Sequence, residues 1–176
     1  MTTYVALLRG INVGGHRPVG MPALRGLFEG LGYPNVATYI QSGNVVFDAS
    51  GRDTRAITEE LELAILGELG FGVDVVVRSA AEMAAVVAGN PFVPRVTDTK
   101  ALHVAFARDP IKGAPTVDRD IAPGEARIGS GVIYLHAPGG FGRSKLTDAL
   151  LKRLAGSLVT TRNWNTVTRL AELSAR

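Results

Sequence analysis

The sequence predicts an α+β protein built as a tandem duplication of two ferredoxin-like βαββαβ units, antiparallel sheets with appended helices. Three observations predict it. Strand and helix patterns read in the order β-α-β-β-α-β twice along the chain. Three residue runs of the first half recur in the same order in the second. The polar hairpin turn Gln41-Ser42-Gly43-Asn44 is echoed by Ser130-Gly131. The expected units are 1–90, with one extra helix, and 91–176, with a C-terminal helix.

The matched runs are Val5-Ala6-Leu7-Leu8-Arg9 with Val104-Ala105-Phe106-Ala107-Arg108, Ser42-Gly43 with Ser130-Gly131, and Val75-Val76-Val77-Arg78-Ser79 with Val159-Thr160-Thr161-Arg162-Asn163. Their separations fall from 99 to 88 to 84 residues, counted from the first residue of each run. Loops of different length between fixed elements account for that drift.

Each element has its own warrant. Residues 4–9 are nearly all apolar, as in a central strand covered on both faces. Gly10 to Gly20 is a loop, rich in Gly and with Pro18. Leu24, Leu27, Phe28 and Leu31 share one face of a helix from Met21 to Leu31, and Gly32 and Pro34 end it. Val36 to Gln41 and Val45 to Asp48 form a hairpin around Ser42-Gly43-Asn44. Asp53 or Thr54 caps a helix carrying Ile57, Leu61, Ile65 and Leu69, closed by Gly70. Val73 to Arg78 is a strand. Ser79, with Glu82 three residues on, is a capping box for the next helix.

In the second half, Leu102 to Ala107 is a strand. Residues 109–124 are polar, with at most a short helix near Val117 to Ile121. Residues 126–128 and 132–136 form the second hairpin. Ser144 is expected to cap a helix running through Leu146, Leu150, Leu151 and Leu154. Ser157 to Thr161 is a strand, and Asn163 opens the last helix.

Composition narrows function. The chain has 176 residues and no cysteine, which excludes disulfides, thiolate catalysis and Cys-ligated zinc. No apolar run is long enough to span a membrane, and the N-terminus reads as a buried strand rather than a signal peptide. The cytoplasm is the default expectation. The net charge of +3 is uneven. Residues 1–90 hold 6 Lys/Arg against 9 Asp/Glu, and residues 91–176 hold 13 against 7. A basic second half suits an anionic partner, or is an ordinary solvated surface.

Four stretches carry candidate chemistry. The loop Gly10–Gly20 follows a strand and precedes a helix, a geometry that favours anions, with Arg9 and Asn12 at hand. It matches neither nucleotide fingerprint, and a plain glycine loop is the alternative. In Gln41-Ser42-Gly43-Asn44, turn chemistry explains Gly43 and Asn44, whereas Gln41 adds amide donors and an acceptor suited to a base, amide or carboxylate. Gly139-Gly140-Phe141-Gly142-Arg143-Ser144-Lys145 leads glycines and two cations into a helix start; its alternative is Ser144 capping beside two solvated cations. Thr161-Arg162-Asn163-Trp164-Asn165-Thr166 holds the single Trp, a residue for the core or for stacking on a ring. One of its two asparagines caps the helix, and Arg162 at a helix start calls for an acidic partner or ligand. His16, His103 and His136 lack ligand spacing, so no metal is expected. No cofactor is implied, and no nucleophile or general base stands out.

The runs Leu7–Gly15, Thr38–Phe47, Gly142–Thr147 and Thr160–Val167 together resemble the family of bacterial proteins described as domain of unknown function 1697. The resemblance extends over essentially the whole chain, weakest at 109–124. It implies two ferredoxin-like units and no defined activity.

The functional expectation is a small anionic or nucleotide-like ligand in a cleft between the repeats, lined by Arg9, Asn12, Gln41, Asn44, Lys145, Arg162 and Asn165. The alternatives are a nucleic-acid-binding module, for which the aromatic RNA-binding signature is missing, or an assembly subunit with an apolar face around Trp164.

Overall fold

Strand β1 (Thr2–Leu8) is buried from Thr3 to Leu8 because it runs through the interior of its sheet. In the computed structural model, which describes residues 1–113 and 121–176, the chain divides into two units. Unit 1 comprises Met1–Ala84 with Leu170–Arg176, and unit 2 comprises Ala85–Arg169. Among the described residues the fold is mixed α+β, with two four-stranded antiparallel sheets and five α-helices. The short helix expected near Val117 to Ile121 falls largely on residues 114–120, outside the described residues.

Unit 1 continues with α1 (Met21–Gly30), β2 (Ala37–Tyr39), β3 (Asn44–Ala49), α2 (Thr54–Leu69) and β4 (Val75–Ser79). The strand order is β2-β3-β1-β4 and every pairing is antiparallel. Period-2 alternation sends Tyr4, Ala6 and Leu8 into one core with Phe28 of α1 and Ile57, Leu61 and Ile65 of α2. Phe28 and Phe47 meet edge-on, with ring centroids 5.2 Å apart. Each such fully buried side chain stabilises the fold by roughly 1.5–3 kcal/mol. The alternate residues Val5 and Leu7 are fully buried too, as the unbroken apolar run predicts.

Caps fall where the side-chain chemistry allows. Asp53 caps α2 by accepting from the Arg55 amide at 3.3 Å, and Gly70, left-handed at φ 75°, ends it. Helix α3 (Ala80–Ala88) opens on the expected capping box. The Ser79 amide donates to Glu82 Oε2 at 2.7 Å, and the Glu82 amide donates to Ser79 Oγ at 3.2 Å.

Unit 2 holds β5 (Leu102–Ala107), β6 (Glu125–Ile128), β7 (Val132–His136), α4 (Asp148–Ala155) and β8 (Val159–Asn163), followed by α5 (Trp164–Ser174), which extends into unit 1. The order β6-β7-β5-β8 repeats that of the first sheet, again antiparallel throughout. Ala105, Ala107, Ile133 and Leu135 pack under Leu151, Leu154 and Ala155 of α4. Asn163 caps α5 by accepting from the Thr166 amide at 2.8 Å.

Two local expectations are corrected. Strand β2 ends at Tyr39, not Gln41, because Ile40 turns into the left-handed region at φ 50°, where a β-branched residue is an outlier. Helix α4 starts at Asp148 and is capped by Thr147, not Ser144; the Thr147 hydroxyl accepts from the Leu150 amide at 3.3 Å. Ser144 cannot take that role because its hydroxyl is already used. It donates to the Phe141 carbonyl at 2.7 Å and accepts from the Leu146 amide at 3.2 Å, closing a 3-10 turn over Phe141–Arg143.

Candidate functional site

In unit 1 three sequence-predicted residues, Asn12, Gln41 and Asn44, gather around the turn between β2 and β3. Asn12 is left-handed at φ 53°, a conformation asparagine tolerates. Its side chain clamps two segments. Nδ2 donates to the Val19 carbonyl at 2.9 Å and to the Gln41 carbonyl at 2.8 Å, while Oδ1 accepts from the Val19 amide at 2.8 Å. Asn12 thus closes the loop 10–20 on itself and ties it to the turn.

Asn44 does the same from inside. It is fully buried, and its Nδ2 donates to the Tyr39 carbonyl and to Ser42 Oγ, both at 2.9 Å. Gly43 sits between them at φ 83°, where a Cβ would stand 2.6 Å from Ile11 Cδ1 and 2.9 Å from Leu8 Cβ. Only glycine fits. Gln41 is brought to Asn12 through its backbone, and the residue itself is exposed. Arg9 follows the end of β1, where its amide donates to the Asp74 carbonyl at 2.9 Å.

In unit 2 the predicted residues stand at different places. Lys145 is exposed on the wall of a pocket of about 140 Å³, together with Arg143. The wall also includes Gly124, Pro138, Gly139 and Gly140, and among the described residues it contains no carboxylate. The loop beneath is held by its own bonds: the Gly140 amide donates to the Ala137 carbonyl, the Arg143 amide to that of Gly140 and the Ser144 amide to that of Phe141. Ring stacking of Phe141 on His103, with centroids 4.6 Å apart, anchors it to β5.

Arg162 lies on β8 and is buried. Its Nη1 donates to Thr160 Oγ1 at 2.8 Å and to the Thr161 carbonyl at 3.0 Å. Burial pushes its pKa down to about 10, which still leaves it charged at neutral pH. Arg78, on β4, likewise donates to the carbonyl of the residue before it, Val77, at 3.0 Å, and burial lowers its pKa also. Asn165 is exposed in the first turn of α5 and accepts from Thr99 Oγ1 at 3.2 Å.

Two polar clusters escape the sequence reading. In unit 1, the Tyr33 hydroxyl donates to Glu60, which also takes Arg52 at 2.7 Å. In unit 2, Glu125 joins Arg95 at 2.7 Å and His136 at 3.0 Å, with Arg95 lying over the Phe92 ring at 5.1 Å. Arg95 and Glu125 are 30 residues apart, and no spacing rule links them.

The described residues contain no helix long and apolar enough to cross a membrane. Residues 1–134 match the family model described as protein of unknown function (DUF1697). The chain belongs to the DUF1697 family. A solved structure, described as the conserved bacterial protein SP0830 from Streptococcus pneumoniae, is similar to this DUF1697 chain at 23% identity and a TM-score of 0.70, over 98% of each chain. That likeness concerns the fold alone. No curated protein matches the chain.

Proposed function

We propose that this DUF1697 protein binds a small anionic ligand, with the glycine-rich loop of unit 2 as the principal contact. The observation that carries this reading is the pocket wall with Arg143 and Lys145 and no carboxylate among its described residues. Two cations beside a loop already closed by internal hydrogen bonds favour an anion without a large ordering cost. The pocket, about 140 Å³, is well below the ~300–1,000 Å³ of drug-sized sites. It suits a phosphate or carboxylate group, and a nucleotide would place only its anionic end there.

The other residues named from the sequence enter the proposal in graded roles. Arg9, Gln41, Arg162 and Asn165 do not line this pocket and stay proposed as separate polar contacts, each within its own unit. Asn12 and Asn44 act by holding the turn that presents Gln41. We also read the chain as a duplication of one ferredoxin-like unit, with repeats at 1–90 and 91–176. Their common strand order and the paired Arg78 and Arg162 support that reading.

The nucleic-acid alternative is weaker. Single strands would need an open sheet face for stacking, but Val5, Leu7, Val104 and Phe106 on the central strands are fully buried. Trp164 is 6% exposed and offers no open face for assembly.

Titration calorimetry with inorganic phosphate tests the proposal. Binding should weaken at least ~10-fold in an Arg143→Ala, Lys145→Ala variant, a change of about 1.4 kcal/mol. Absence of any heat or thermal shift with wild-type protein at ~50 mM phosphate would rule the proposal out, since ligand at 100 times its dissociation constant stabilises by about 2.7 kcal/mol.

A further inference from the structure

The pocket of unit 2 that holds Arg143 and Lys145 is not polar throughout. Strands β6 and β7 pair Glu125 with His136 at one end, so the segments just outside them, 121–124 and 137–138, run side by side. From these segments Ile121, Ala122, Pro123, Ala137 and Pro138 bring hydrocarbon to the wall. Pro123 and Pro138 have no amide N–H to offer a ligand. The Gly124 amide already donates to the Ile121 carbonyl, and the Ala137 amide to that of Ala101, both at 2.8 Å. Behind Gly124 stands the buried side chain of Leu146; a Cβ at position 124 would lie 3.4 Å from its Cδ1. Charge at this pocket comes from the loop side alone, and the strand-end side is apolar.

We propose that the ligand class of this pocket is an organic anion, one charged head group on a compact hydrocarbon of up to about six carbons. The inference rests on the anion-binding reading above and adds what the rest of the ligand is. Arg143 and Lys145 take the head group. The wall of Ile121, Ala122, Pro123 and Pro138 takes the hydrocarbon, which gains by leaving water. Size sets the limit: a cavity of ~150 Å³ holds benzene, and this one measures about 140 Å³. Inorganic phosphate reaches the two cations but leaves the apolar wall against water. A sugar or other polyhydroxylated tail would set its hydroxyls against proline and alanine side chains with no partner for them.

Amide NMR of the full chain, followed at Gly139 and Gly140, tests this in titrations with acetate, propionate, butyrate and valerate, and with inorganic phosphate and 1-butanol for comparison. Affinity should rise roughly two- to fourfold with each methylene from acetate to valerate, and valerate should bind more tightly than phosphate. Butanol, which has the hydrocarbon without the charge, should bind at least ~10-fold more weakly than butyrate. Pro138 is exposed, so Pro138→Ser leaves the core intact; it should weaken valerate more than acetate. Saturable binding with equal affinity for phosphate, acetate and valerate overturns this inference and leaves the anion site standing. Butanol bound as tightly as butyrate, or no saturable shift with any of the anions, overturns both.

Discussion

Asn12 Nδ2 lies 2.8 Å from the carbonyl oxygen of Gln41, across 29 residues of sequence. This bond and the pair to Val19 make one side chain responsible for the loop after β1 and for the turn after β2. Replacing Asn12 by Ala removes three hydrogen bonds at about 0.5–1.5 kcal/mol each, a total loss of roughly 2–4 kcal/mol. Urea unfolding should show it as a lower midpoint at unchanged slope. A loss below ~0.5 kcal/mol would mean the clamp is idle.

Gly43→Ala should cost more than Gly10→Ala. Both glycines have positive φ, 83° and 71°, so both substitutions carry the left-handed penalty of about 1–2 kcal/mol. Of the two, only position 43 puts the new Cβ into collision, with Ile11 and Leu8, which adds roughly 1–3 kcal/mol of overpacking. Equal melting temperatures for the two variants would contradict the close approach.

Thr147→Ala should destabilise by about 1 kcal/mol through loss of the α4 cap. Amide exchange separates it from Ser144→Ala. The Leu150 amide, which donates to Thr147, should exchange faster in Thr147→Ala and be unchanged in Ser144→Ala, whose loss falls on the 3-10 turn.

Acid should weaken the fold. The hydrogen bond from Tyr33 lowers the Glu60 pKa, aided by Arg52 against desolvation, and the hydrogen bonds from Arg95 and His136 lower that of Glu125. A carboxylate with a depressed folded pKa contributes stability above its unfolded pKa and loses it as pH falls through the folded one. The urea midpoint should therefore drop between about pH 5 and pH 3. Glu60→Gln and Glu125→Gln should flatten the drop; a midpoint that is level or rises over this range would contradict the assignment.

Much of the fold is legible in the sequence because it rests on local periodicity. The apolar alternation around Leu7, the helical face of Leu24 and Phe28, and the capping box of Ser79 and Glu82 all work within a few residues. Ile40 reads as strand by residue type, yet its left-handed turn is imposed from outside, by Asn12 on Gln41 and by Asn44 on Tyr39. Ser144 and Thr147 are both good caps by residue type, and only the bond from Ser144 to Phe141 decides between them. At the candidate site, Lys145 is legible as a cation after glycines. The pocket it shares with Gly124 and Pro138 is not, because chain packing alone brings those segments together.

The central claim is that an anion binds at the glycine-rich loop of unit 2. Backbone amide NMR during a titration with inorganic phosphate tests it most directly. The account predicts saturable shifts concentrated at Gly139, Gly140, Gly142 and Arg143, and their loss in Arg143→Ala, Lys145→Ala. Saturable shifts confined to Gly10–Gly15, or no saturable shift at all, would contradict it.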